Sequence, residues 1–473
     1  MSRVSETNPA GDSVADPGSE LDGGGAVART RWVAVSVSAF ATLLVASELS
    51  MAAFALPLIA TDLGVGEGAT AWVLLAYQLP LAALALPAGR WIDRTDPRTA
   101  FAASMALIAV VSVLAAIAPQ FWVLLVARVL QGLASAAYLA VYLPVVTLSV
   151  RPDQRGRAMS YHATIMMVGS IAVAPLGGWL ADAFGWRAVF LAKVPLLLIA
   201  AVLGLLVVPS LSRRAGEGER TGRALAADVL LVGSAVTAAL LAVEQAGKDL
   251  TWTLVLAVVA LGFGVVWSRL GTSGPVLALV RRPRVGWPAL ALLLTASLVG
   301  LITFSLPFFI SAVLHRGPGL LSTAVVSFVA GSAVISPLAG FLADRFRPLP
   351  VATLGAALMT GSLFPMLTLG PETTTADLAW RMALLGIGMG LFNSPNMTTL
   401  LEAIPPQYAG TVGGVTNLAR TLGGTLGPAV AALGWTLGSG GTSGFRIGVA
   451  TLIALTAAAF VALLAARSTA GPE

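Results

Sequence analysis

Long apolar segments, separated by short polar segments that carry arginine, make up most of this chain. A helix needs about 20 mostly apolar residues to cross the roughly 30 Å hydrocarbon core of a bilayer. The two least certain candidates lie mid-chain, where Asp228, Glu244 and Lys248 crowd their ends. The pattern predicts an all-α membrane protein with fourteen spans, or twelve without that pair. The predicted spans are 33–59, 70–88, 100–118, 121–148, 158–181, 188–208, 224–246, 251–270, 287–314, 321–343, 351–369, 378–401, 410–435 and 448–466.

The basic residues fall mostly on one side of the predicted membrane. With a cytoplasmic N-terminus, twenty Lys and Arg residues lie in cytoplasmic segments and six in outer segments. Cytoplasmic loops of membrane proteins carry an excess of these residues. The count predicts that both termini are cytoplasmic, and it holds only if the seventh and eighth spans are both present or both absent.

Composition excludes several classes of protein. Hydrophobic residues make up 57% of the chain and charged residues 11%, whereas a soluble domain carries roughly 25% charged residues. The chain has no cysteine and no phosphate-binding G-x-x-x-x-G-K-[ST] loop, so thiolate metal sites and ATP hydrolysis are excluded. We expect no enzyme activity, no cofactor or metal, no nucleic-acid partner, and a monomer. The abundance of Arg, Ala and Gly is typical of GC-rich bacteria, so we expect a bacterial inner membrane.

An internal repeat divides the chain. The sequence A-G-x-x-x-D-R occurs at 88–94 and at 339–345, each time after the second span of a six-span set, and Pro175 and Pro428 recur in the fifth spans. Parallel repeats are typical of transporters whose halves rock around a central site. The predicted organisation is a disordered cytoplasmic tail at 1–31, a six-helix bundle at 32–208, a linker with two extra spans at 209–285, a second six-helix bundle at 286–468, and a cytoplasmic tail at 469–473.

Five motifs in order resemble those of one family. Residues 89–98 (G-R-W-I-D-R-T-D-P-R) resemble the loop motif G-x-L-A-D-R-x-G-R-R of the major facilitator superfamily. The other four resemble motifs of its fourteen-helix drug:proton antiporter branch, and they are 48–57 (E-L-S-M-A-A-F-A-L-P), 127–132 (A-R-V-L-Q-G), 174–178 with 185–190 (A-P-L-G-G and G-W-R-A-V-F), and 417–424 (N-L-A-R-T-L-G-G). The resemblance implies two six-helix bundles with two inserted helices.

Four ionisable residues lie deep inside predicted spans. Glu48, Arg128 and Lys193 come out about 8, 10 and 7 Å from the outer surface at 1.5 Å per residue, while Arg420 lies near the midplane. Such residues are costly in a bilayer and usually functional. The resemblance gives the family's acid at Glu48, so we predict a proton carrier there with Arg128 as its partner. Lys193 and Arg420 are possible further charge partners, and a fixed structural ion pair is the alternative.

The remaining candidates are residues of the two repeated loops and uncharged residues within the predicted spans. We predict conformational gates at the two repeated loops, with solvated loop charge as the alternative: Gly89, Asp93, Arg94, Gly340, Asp344 and Arg345. The fifth span carries small residues that allow close helix packing, and these are Ser170, Ala174, Pro175, Gly177 and Gly178. An aromatic and methionine-lined cavity would suit hydrophobic substrates, and its candidate residues are Trp72, Tyr77, Met166, Phe304, Phe308, Asn393 and Met397.

These observations favour a proton-coupled exporter of hydrophobic, cationic small molecules such as drugs or natural products, working by alternating access. Its partners would be the small-molecule substrate, protons and the lipid bilayer. Two alternatives stay open. The buried charges sum to +2, which suits a transporter of an anionic metabolite or lipid-like substrate, and a membrane sensor or scaffold could keep the same fold without transport.

Overall fold

The computed structural model describes residues 29–210, 218–245 and 249–468. Most of the predicted N-terminal tail, the C-terminal tail and Lys248 lie outside these residues, as do the side chains of Ser170, Ala174 and Pro175. The described residues form helices joined by short connections. The α-helices are α1 (Trp32–Asp62), α2 (Glu67–Ala83), α3 (Ala85–Ile92), α4 (Pro97–Ala116), α5 (Phe121–Ser149), α6 (Arg155–Phe184), α7 (Trp186–Leu191), α8 (Val194–Val207), α9 (Gly218–Gln245), α10 (Leu250–Arg269), α11 (Gly274–Val280), α12 (Pro283–Ala296), α13 (Leu306–Ala312), α14 (Pro318–Phe346), α15 (Pro348–Leu363), α16 (Thr375–Glu402), α17 (Ala409–Leu437) and α18 (Gly441–Ser468).

Length and apolar content identify fewer spans than the sequence pattern does. Among the described residues, ten helical segments are long and apolar enough to cross a membrane, or eleven if α2 and α3 form one bent span. Helices α6, α16 and α17 have 30, 28 and 29 residues but are less apolar, because glycine, serine, threonine and asparagine interrupt them. The number fourteen therefore stays a prediction.

Proline explains two interruptions inside predicted spans. Helices α2 and α3 meet at 47° around Leu84, and Pro87 follows in the first turn of α3. Pro87 has no N–H to donate to the carbonyl of Ala83, so the helix bends in the preceding turn. A π-helix at Leu301–Ser305 likewise precedes Pro307 and separates α12 from α13.

Helices from the two ends of the chain meet at the end of the molecule that carries the repeated loops. Helix α17 packs against α3 and α5, and α6 packs against α14. Glycine permits the closest approaches, since a Cβ on Gly89 would lie 2.3 Å from the carbonyl oxygen of Gly410. A Cβ on Gly156 would lie 2.7 Å from that of Gly340. The two contacts involve equivalent positions of the internal repeat, so they relate the N-terminal helices to the C-terminal ones in the same way.

A buried carboxylate, that of Asp228, connects helices α9 and α10 to α3. Asp228 on α9 is 1% exposed and forms an ion pair with Arg90 of α3. Its other oxygen accepts a hydrogen bond from the Trp267 indole of α10 at 2.8 Å. Helix α9 also packs against α2 and α17, whereas the apolar stretch Thr251–Arg269 of α10 contains no buried residue.

Replacing Asp228 by alanine is expected to destabilise the protein by about 3 kcal/mol, because Arg90 would keep its charge in a poorly solvated place. The measurement is the apparent unfolding temperature in detergent of D228A, R90A and the double variant. The double variant should lose less than the sum of the two single losses, since both members of the pair are gone. Unfolding of D228A at the wild-type temperature would contradict this prediction.

Candidate functional site

The carboxylate of Glu48 lies between two cations in the interior of the N-terminal helices. The Lys193 ammonium is 2.7 Å from Oε1 of Glu48, and Nη1 of Arg128 donates to Oε2 at 3.1 Å. Glu48 and Arg128 are fully buried, and Lys193 is 3% exposed. The three residues come from α1, α5 and the turn between α7 and α8. We call these three residues the Glu48 triad.

Local helix structure brings Lys193 to this position. Helix α7 ends at Leu191 and α8 begins at Val194. Pro195 occupies the second position of α8 and has no N–H to continue the hydrogen-bond ladder back to Leu191. The helix is therefore interrupted beside Lys193.

Arg128 is held by more contacts than the ion pair alone. Its Nε donates to the Val73 carbonyl of α2 at 2.9 Å, and Nη1 also donates to the Gln131 amide oxygen at 2.8 Å. The Gln131 nitrogen in turn donates to Ser112 of α4 at 2.9 Å. The guanidinium lies 4.6 Å from the Tyr77 ring centroid, a cation–π distance. These contacts fix Arg128 as a permanent charge beside Glu48.

The charges of the Glu48 triad are not balanced when all three side chains are ionised. Arg128 stays protonated in proteins, but a buried lysine or carboxyl can change its charge readily. With Glu48 ionised, two cations face one anion in the buried interior, which is an unbalanced arrangement. The depths calculated from the sequence put Glu48, Arg128 and Lys193 at one level of the membrane. Gln131, Ser112 and the Val73 carbonyl carry no charge, so the search for ionisable residues within spans could not identify them.

Arg420 lies apart from the triad. Its side chain is exposed, and Nη2 donates to the Asn393 amide oxygen of α16 at 3.3 Å.

The aspartates of the two repeated loops make the same kind of contact, each with the N-terminus of a helix. Asp93 accepts hydrogen bonds from the backbone N–H groups of Gly410 and Thr411 at 2.7 and 2.9 Å.

Asp344 makes the equivalent contact at the start of α6. It accepts from the N–H groups of Gly156 and Arg157 at 2.7 and 3.2 Å, and the Arg157 guanidinium adds an ion pair. A carboxylate is favourable at the N-terminus of a helix, where backbone N–H groups are unpaired. Arg94 and Arg345 are exposed and form no ion pair within the described residues. We call the contacts of Asp93 and Asp344 the two latches.

The small residues of the fifth predicted span lie on α6, which packs against α1. A Cβ on Gly177 would meet the Met51 Cα at 3.0 Å, and one on Gly178 would meet the Phe54 ring at 3.6 Å. The glycines of this motif therefore allow α6 to approach the helix that carries Glu48.

The predicted cavity residues do not form one group. Tyr77 is buried beneath Arg128, and Trp72 is 48% exposed on α2. Phe304 and Phe308 stack on each other at 4.5 Å, with Trp435 beside Phe308. The remaining three, Met166, Asn393 and Met397, lie on α6 and α16.

The sequence profile of the Major Facilitator Superfamily matches residues 38–428. The chain belongs to this family. It is similar to the multidrug efflux pump LfrA of Mycolicibacterium smegmatis, at 30% identity over 90% of this chain and 84% of that protein. It is also 30% identical to the puromycin resistance protein pur8 of Streptomyces alboniger, over 85% and 81% of the two chains. Among solved structures, the superfamily transporter FucP in its outward conformation matches with a TM-score of 0.64 at 13% identity, over 94% of this chain and all of that one.

These similarities confirm the superfamily and the relation to its multidrug resistance branch. The all-α fold expected from the sequence is confirmed as well. The protein is a multi-span membrane transporter rather than an enzyme, and its bacterial relatives are consistent with an inner-membrane location.

Proposed function

We propose that this transporter is a proton-coupled exporter of hydrophobic small molecules, such as drugs or natural products. The observation that carries the proposal is the Glu48 triad, which holds a carboxylate and an ammonium 2.7 Å apart in the buried interior. An ionisable group in that position is costly, so its retention fits a role in proton movement. The relatives named for multidrug efflux and puromycin resistance support the substrate class.

In the proposed cycle, Glu48 takes up a proton from the outside and releases its hold on Lys193. The charged and titratable groups described around Glu48 are Lys193, Arg128 and the Tyr77 hydroxyl, and of these Arg128 keeps its charge throughout the cycle. The proton leaves towards the cytoplasm when access reverses. A substrate moving outwards uses the same change of access, so the two movements are coupled.

The latches would control access. We propose that the two halves are the bundles 32–208 and 286–468, with α9 and α10 inserted between them, and that the latched end faces the cytoplasm. Asp93 and Asp344 each bind the N-terminus of a helix from the other half. Their contacts must break when the transporter opens to the inside.

The test uses purified protein in vesicles with a lipophilic dye and an imposed pH gradient. We expect dye movement against its own gradient, with one pH-sensitive probe recording proton flow in the opposite direction. A proton ionophore should abolish accumulation without changing dye binding. Equal dye movement with and without the gradient would overturn proton coupling, and absence of any solute movement would favour the sensor alternative.

A further inference from the structure

A second polar cluster lies between helices α5 and α6 of the N-terminal part of the chain and helices α16 and α17 of the C-terminal part. Tyr142 of α5 and His162 of α6 stack with their ring centroids 5.3 Å apart. The Tyr142 hydroxyl donates to Met397 of α16 at 3.7 Å, and Asn393, one helical turn before Met397, accepts a hydrogen bond from Arg420 of α17. The Arg420 charge acts on both rings. We call Tyr142, His162, Asn393 and Arg420, together with Asn417 of α17, the Arg420 cluster.

Along α6, the contact between Ser160 and Ser394 comes after the Asp344 latch, and His162 of the Arg420 cluster comes after that contact. Ser160 of α6 and Ser394 of α16 touch through their hydroxyls at 2.7 Å, and each is within two residues of a cluster member. Gly410, at the latch, precedes Arg420 by ten residues, or about 15 Å of helix. The cluster thus lies about 15 Å along α17 from the Asp93 latch, next to the contact between Ser160 and Ser394.

The cluster carries a positive charge without a partner. Arg420 forms no ion pair in the part of the chain that the structure describes, and its side chain is exposed. The two carboxylates buried within described helices, Glu48 and Asp228, are both engaged by cations. A cationic substrate would therefore meet repulsion here, whereas an anionic group would meet an available guanidinium.

Two buried nitrogen atoms of the Arg420 cluster have no hydrogen-bond partner. His162 is 6% exposed, and its Nδ1 is buried without a hydrogen-bond partner. The Nδ2 of Asn417, one helical turn before Arg420, also has no partner. The oxygen of Asn393 is occupied by Arg420, which leaves its NH₂ group to donate. Buried groups without partners are costly, and an acceptor-rich ligand would satisfy them.

We propose that the Arg420 cluster binds the carboxylate of an amphipathic substrate, with Arg420 as its charged partner and the asparagine NH₂ groups as further donors. The inference rests on the proposed exporter function and narrows its substrates to hydrophobic molecules that carry an acidic group. A guanidinium binds a carboxylate through two parallel hydrogen bonds. The Tyr142–His162 stack and Met397, whose sulfur accepts from the Tyr142 hydroxyl at 3.7 Å, offer an apolar face to the rest of the molecule.

The test compares two dyes that differ only at the proposed contact. A rhodamine with a free carboxylate and its ethyl ester share the same ring system, and their binding to the protein in lipid nanodiscs is measured by fluorescence anisotropy. We expect the acid to bind about tenfold more tightly than the ester. Arg420→Gln should remove this preference by weakening binding of the acid and relieving the repulsion of the cationic ester, and Arg420→Lys should retain part of it as a point charge. Arg446→Gln, at an exposed arginine of α18, is the matched control and should keep the full preference.

A gain-of-charge variant guards against misfolding of the Arg420 variants. Asn417→Asp places a carboxylate three residues from Arg420 on the same helix face, so it should reverse the preference in favour of the ester. Equal binding of the two dyes to the wild type, or an acid preference that survives Arg420→Gln, would overturn the inference. Gradient-driven efflux of the ester alongside a missing acid preference would remove this inference and leave the proposed function standing. An acid preference with gradient-independent efflux would do the opposite.

Discussion

Replacing Glu48 by glutamine is expected to lower gradient-driven efflux about 100-fold or more, the usual scale for losing a side chain that transfers a proton. Glutamine keeps the size of the side chain but has no group that ionises near neutral pH. It also leaves Arg128 and Lys193 as two buried cations without an anion, so we expect some loss of stability. Dye efflux in vesicles and the apparent unfolding temperature separate the two effects.

Two further variants make the Glu48 experiment decisive. Glu48→Gln combined with Lys193→Met removes one of the stranded cations, and it should recover stability without recovering coupling. Asp62→Asn is the matched control, because Asp62 lies at the end of the same helix, is exposed and pairs with Arg187. It should transport at the wild-type rate. Gradient-driven efflux that persists in Glu48→Gln would remove Glu48 from the coupling mechanism.

The position of these charges along the membrane normal could be predicted from the sequence, because helix rise is constant. Counting residues from the ends of three spans placed Glu48, Arg128 and Lys193 at one level, and the structure brings them into contact. Their neighbours could not be predicted this way. Whether Gln131 reaches Ser112 depends on the rotation of α4 and α5 about their axes, which tertiary packing decides.

The cavity candidates illustrate the same limit. Residue type alone selects Tyr77 and Trp72 as lining residues, whereas the structure places Tyr77 beneath Arg128 and leaves Trp72 48% exposed. An aromatic side chain on a membrane helix carries no sign of which face it occupies, since lipid and protein interior are both apolar. The bend at Leu84 was also missed when 70–88 was treated as one span, although Pro87 could have indicated it.

Joining helices α6 and α16 through a disulfide is expected to stop transport. The Ser160 and Ser394 hydroxyls are 2.7 Å apart on α6 and α16, so we expect cysteines at both positions to bring their sulfur atoms close enough to form a disulfide. The natural chain contains no cysteine, and the double variant therefore has a single possible bridge. If alternating access requires these helices to separate, oxidised protein should lose transport and dithiothreitol should restore it.

The crosslinking experiment has internal controls. Ser160→Cys and Ser394→Cys alone should transport equally well before and after oxidation, and thiol titration should show that both thiols disappear in the double variant. The bridge spans a contact beside the latches rather than the Glu48 triad, so dye binding from the open side should survive. Wild-type transport by fully bridged protein would mean that this contact stays closed throughout the cycle, and that the latches of Asp93 and Asp344 do not control access.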